Sequence, residues 1–82
     1  MNRDELLGKL TDFLNEAMMG RATDITPDED LLKKGLDSMG AVEFVSQIED
    51  EYGLDEVSPE EITKLKTLND AADMVLAKLA DK

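Results

Sequence analysis

The chain has 82 residues with 20 Asp/Glu against 9 Lys/Arg, a net charge of −11, and no His, Cys or Trp. That composition excludes Ser–His and Cys–His nucleophilic systems, zinc ligation by thiolate or imidazole, and any disulfide staple. The length suits one small domain over residues 1–82, thin in stability because a chain this short buries only about 60% of its unfolded surface and here also repels itself.

Four segments carry helical periodicity. In the first, Leu6, Leu7, Leu10, Phe13, Leu14, Ala17 and Met18 recur at three-and-four spacing, Asn2 and Glu5 form a capping pair, and Gly20 is the expected stop, which predicts a helix from about residue 3 to 19. Residues 20–36 then make a long connection, where helix-to-helix joins usually take about 2–8 residues. Ile25, Leu31, Leu32 and Leu36 are apolar and should pin this long first loop to the core, with Pro27 and Gly35 as punctuation. Asp37 stands at an N-cap position, Met39, Val42, Val45, Ile48 and Tyr52 form the second stripe, and Gly53 follows it. Ser58-Pro59-Glu60-Glu61 starts a short third helix, and Thr67-Leu68-Asn69-Asp70 starts a fourth, whose stripe is Leu68, Ala71, Ala72, Val75, Leu76 and Leu79. No segment alternates as a strand. The expected fold is all-α, a small four-helix bundle with three longer helices and one short one.

Ser38 is the position that stands out. It lies in the first turn of the second helix, where the helix dipole and unpaired N–H groups favour a phosphate ester. Asp and Ser also abound at helix starts simply because they cap, so the position admits a structural reading too. Gly40, inside the same helix, costs about 0.8–1.0 kcal/mol relative to Ala; either a partner or attached group approaches the backbone there, or the glycine is neutral.

The charge is unevenly placed. Between Lys34 and Lys64 no basic residue occurs, while Asp37, Glu43, Glu49, Asp50, Glu51, Asp55, Glu56, Glu60 and Glu61 are all acidic. Such a run is commonly a solvated face, and it also suits docking of a Lys/Arg-rich protein with fast, salt-sensitive association. Nucleic acid and anionic membrane are disfavoured, because both bind through Lys/Arg on phosphate. No apolar run approaches the ~20 residues that span a bilayer, and the opening Met1-Asn2-Arg3-Asp4-Glu5 lacks a secretion signal's apolar stretch, so no membrane insertion and a cytoplasmic monomer are expected. Asp24, Thr26, Asp28 and Asp30 match four calcium-loop positions, but Glu29 stands where the sharp turn needs Gly and Gly35 where the bidentate Glu belongs.

The segment Gly35-Leu36-Asp37-Ser38-Met39-Gly40-Ala41-Val42-Glu43-Phe44-Val45 closely resembles the 4′-phosphopantetheine attachment site of acyl carrier proteins. The resemblance continues through Ile48-Glu49-Asp50-Glu51-Tyr52 and from Val57 to Leu68, so that nearly the whole chain is covered. It implies that Ser38 is esterified by the phosphate of an arm taken from coenzyme A by a separate phosphopantetheinyl transferase. It also implies a non-catalytic carrier that shuttles acyl thioesters among the acyl-loading and acyl-processing enzymes of fatty-acid, polyketide or related biosynthesis. Asp37, Met39, Val42, Glu43, Glu49 and Asp50 would then belong to the docking face read by basic patches on those enzymes. Phe44, Val45, Ile48, Val57, Ile62, Leu65, Ala71 and Val75 would border the space where some carriers shelter the acyl chain, although helical apolar stripes are ordinary core by default.

Two departures bear on the cargo rather than on the arm. Gly40 replaces a residue that is acidic in many fatty-acid carriers and resembles some aminoacyl carriers, including D-alanyl carriers, and one extra residue lies in Gly53 to Glu56. The alternative from a different class is an unmodified acidic helical adaptor that binds basic proteins or divalent cations, for which Ser38→Ala would be silent.

Overall fold

Each helix begins on the cap that its sequence supplies. The structure, a computed structural model, describes residues 2–20 and 25–80. Helix α1 spans Arg3–Ala17, with Asn2 Oδ1 accepting the Asp4 N–H at 2.8 Å. Helix α2 spans Ser38–Tyr52 and is capped by Asp37 at its start and by left-handed Gly53 (φ 61°) at its end. Helix α3, Pro59–Thr63, starts on Ser58, whose hydroxyl accepts the Glu61 N–H at 3.2 Å. Helix α4, Leu68–Ala80, starts on a reciprocal pair: Thr67 Oγ1 accepts from Asp70 N at 3.1 Å, and Asp70 Oδ2 accepts from Thr67 N at 3.2 Å. Among the described residues there is no strand.

The apolar stripes meet in one core. Leu6, Leu10, Leu14 and Met18 of the first segment close against Phe44 and Ile48 of α2 and Leu68, Ala71, Ala72 and Val75 of α4. Each fully buried Leu, Ile, Phe or Val side chain stabilises the fold by about 1.5–3 kcal/mol. Helix α1 packs on both α2 and α4, whereas α3 packs on α2 alone and buries no residue of its own. The short helix is therefore a flap on the side of a three-helix core, tied to α4 by a Lys78–Glu61 ion pair of 3.0 Å.

The first helix stops earlier than its periodicity predicts. Met18 is already the C-cap, and Met19 takes a left-handed φ of 57° ahead of Gly20 at 84°. The apolar Met18 remains buried in this turn, so hydrophobic pattern and helix end part company there.

The long first loop is tied down in two ways. Leu31 and Leu36 are buried and Ile25 packs partly against the core, while Leu31 N donates to Lys66 O at 2.8 Å and Asn69 N to Pro27 O at 3.1 Å. Leu32 does not join them. It is 64% exposed, because the tight turn over 31–35 sends neighbouring side chains in opposite directions and only Leu31 reaches the core. Of the calcium-loop positions, Asp24 lies outside the described residues; Asp28 accepts from the Asn69 side-chain amide, and Asp30 Oδ1 accepts from Leu32 N at 3.0 Å.

Candidate functional site

Asp37 and Ser38 divide the work at the start of α2. Asp37 Oδ1 accepts the Gly40 N–H at 2.7 Å and Asp37 O accepts the Ala41 N–H at 2.9 Å, so the aspartate alone supplies the cap. Ser38 is the first helical residue, exposed, and its hydroxyl makes no hydrogen bond among the described residues. A serine that was there to cap would have engaged one of those amides. This one is left over, at the positive end of a helix that carries no acid in its first turn.

Gly40 has an explanation inside the fold, independent of any partner. The residue is buried, and a Cβ built there would lie 2.9 Å from Leu36 Cδ1, 3.1 Å from Asp37 Oδ1 and 3.6 Å from Ala17 O. The glycine leaves room for the Leu36 side chain and for the Asp37 carboxylate that caps α2.

Beside Ser38 opens a groove of about 570 Å³, walled by Leu32 and Leu36 of the loop, Ala41, Val42 and Val45 of α2, Val57, and Pro59, Ile62 and Leu65 of the α3 region. Ser38, Ser46, Thr63, Asp37, Glu49 and Glu56 add polar atoms to its lining. The eight residues singled out for an acyl shelter separate here. Val45, Val57, Ile62 and Leu65 line the groove, whereas Phe44, Ile48, Ala71 and Val75 are sealed in the core and do not. Leu32, Leu36, Ala41 and Pro59 are the walls that sequence reasoning missed; the signal available was the apolar excess of the loop just before Asp37.

The residues expected to dock partners also separate. Met39 is 83% exposed and Val42 56%, and Val42 and Leu32 share the groove lining with Ser38. Glu43 and Asp50 face solvent on the same helix without an ion pair among the described residues. Glu49 departs from them: it is half-buried, and its Oε2 accepts the Val57 N–H at 2.6 Å. The acidic stretch is also less bare than the linear sequence suggests, because Lys9 of α1 pairs with Glu51 at 3.1 Å and Lys78 of α4 with Glu61. The hydrogen bond and charge of Glu51 raise the Lys9 ammonium above its usual value near 10.5, and burial raises the Tyr52 phenol above 10.0.

This arrangement fits a phosphate-linked arm on its own terms. There is a free hydroxyl at a helix N-terminus, its neighbouring side chain is exposed, and an apolar groove begins beside it. Asp37, the preceding residue, has one carboxylate oxygen held by Gly40 N–H.

Comparison with known proteins agrees with that reading. The family described as "Phosphopantetheine attachment site" matches residues 5–75. The chain is 32% identical over 84 residues to an acyl carrier protein of Thermosynechococcus vestitus, covering 98% of this chain and 99% of that one. It is 30% identical over 76 residues to one of Lactobacillus acidophilus, covering 92% and 94% of the two chains. Acyl carrier protein 1, chloroplastic, of Spinacia oleracea is 30% identical over 81 residues, 98% of this chain, which spans 58% of the spinach protein's length. A crystal structure of an acyl carrier protein from Thermotoga maritima superposes with a TM-score of 0.81 at 30% identity, covering 99% of this chain and 94% of that one. No helix among the described residues is long and apolar enough to cross a membrane. The chain belongs to the acyl carrier protein family, as a carrier with a covalently attached 4′-phosphopantetheine.

Proposed function

We propose that the arm is esterified to Ser38 Oγ and that the 82 residues act as one non-catalytic carrier unit. The observation that carries this is the division of labour at α2, where Asp37 caps and the Ser38 hydroxyl is left without an internal partner. In the loading step the Ser38 oxygen attacks the coenzyme A phosphate that bears the pantetheine, the pyrophosphate bond breaks, and the adenosine portion leaves. The serine proton passes to a general base, which the transferase's active site supplies on docking. When attached, the arm's thiol holds an acyl group as an activated thioester.

The chain's own residues bind and orient. Asp37, Glu43 and Asp50 draw in enzymes with basic docking patches, and Met39, Val42 and Leu32 give the encounter its apolar contact. The groove lined by Val42, Val45, Val57, Ile62 and Leu65 favours a cargo with a hydrocarbon chain, as in fatty-acid or polyketide synthesis, over an aminoacyl group, which would leave those walls without a use. Incubation with coenzyme A and a broad-specificity phosphopantetheinyl transferase should add one arm by intact mass, and S38A should stay unmodified. A wild-type chain that gains no mass beside a working control carrier overturns the assignment of Ser38. Mass spectrometry of the thioester on protein isolated from its native cell reads the cargo class directly.

A further inference from the structure

Glu49 holds both ends of the connection between α2 and α3. Its main-chain carbonyl accepts from Leu54 N at 3.0 Å and from Gly53 N, and its side-chain Oε2 reaches across to Val57 N at 2.6 Å. Asp55 and Glu56, between those anchors, make no hydrogen bond among the described residues. The connection delivers Glu56 and Val57 to the groove and then Pro59 and Ile62 on α3, the helix that buries nothing of its own. Val57 N–H is the donor and the Glu49 oxygen the acceptor, a role that an amide oxygen of the same reach also fills. This bond stands where the groove's outer wall leaves the three-helix core.

We propose that Glu49 is a positioning residue that fixes the outer wall of the groove and thereby the shelter given to a carried acyl chain. This rests on the groove being the resting place of the cargo. Glu49 sits in the acidic run, yet it acts inward, through Val57, and is distinct from the solvent-facing Glu43 and Asp50. The oxygen, more than the charge, is what Val57 requires, so E49Q should keep the wall in place and E49A should free it.

Two measurements test this. Hydrogen exchange of the Val57 amide, read by NMR on the protein without its arm, should quicken by about tenfold in E49A and stay within about threefold of wild type in E49Q. A dansyl-tipped octanoyl group, loaded from its coenzyme A conjugate, should emit to the blue in wild type and E49Q and shift toward its emission in water in E49A. Unchanged Val57 exchange in E49A, unchanged dye emission, or an E49Q as disturbed as E49A would overturn the proposal. Intact mass after loading separates the two assignments: no added arm overturns the reading of Ser38, while the exchange measurement still decides Glu49. Should E49A fail to fold, E49D, one methylene short of Val57, takes its place in both measurements.

Discussion

The Gly40 amide donates to Asp37 Oδ1 at 2.7 Å, and a Cβ on Gly40 would lie 3.1 Å from that same oxygen. Cap and glycine are therefore one device. Alanine gains up to about 1 kcal/mol of helix propensity, but overpacking against Leu36 Cδ1 and Asp37 costs about 1–3 kcal/mol. G40A should lower stability by about 1 kcal/mol net, and D37A by about 1 kcal/mol through the lost cap, while D37N holds most of it. Urea unfolding of the three variants checks this, and a G40A more stable than wild type would remove the steric account.

Ser38 contributes nothing to the fold that alanine cannot supply. Its hydroxyl lacks an internal partner, so S38A should unfold within about 0.5 kcal/mol of wild type, the usual range for an exposed substitution. Thermal and urea melts of S38A therefore tell loss of loading apart from loss of structure.

Glu43 and Asp50 are exposed and without ion pairs among the described residues, so their charge is available to a partner. The double variant E43K/D50K should slow association with the transferase by about tenfold at low salt and flatten its dependence on ionic strength. Stopped-flow binding across a salt series reads both effects, and the melting temperature should not fall.

Salt should stabilise this protein. With a charge of −11, shortening the Debye length from about 30 Å to about 8 Å screens repulsion that the four ion pairs among the described residues do not offset. Each kcal/mol of repulsion removed raises the melting temperature of a domain this size by about 4–8 °C. A melting series from low to physiological salt, with millimolar divalent cation as a second arm, measures it.

Acid should act locally on the first loop. Glu29 lies below its usual value near 4.5, first because of Lys34, whose ammonium is 2.7 Å away, and then because of the Thr26 N–H. A depressed carboxylate contributes stability above its unfolded value and loses it as pH falls through the folded one. E29Q should thus melt slightly below wild type at neutral pH, and the difference should vanish once Glu29 is protonated. Paired melts from pH 7 down to pH 3 check the sign.

The helices and their starts were legible in the chain because capping and periodicity are local: Asn2, Asp37, Ser58 and Thr67 each sit within three residues of the amide they serve. The attachment motif was legible for the same reason, being contiguous in sequence. The site's walls were not, since Leu32 and Leu65 come together only when Leu31 bonds to Lys66 across the bundle.

By itself the sequence determined an all-helical acidic domain without thiol or imidazole and a serine at the head of its second helix, since composition and short-range spacing need no fold to be read. Only the tertiary structure decided that Gly40 answers to Leu36 and Asp37 and that Glu49 turns inward to Val57. It also decided which acids keep a free charge, by bringing Lys9 and Lys78 onto Glu51 and Glu61 from 42 and 17 residues away along the chain. Those outcomes depend on which surfaces come to face each other when α1, α2 and α4 close on a common core, and a one-dimensional pattern does not carry that distance.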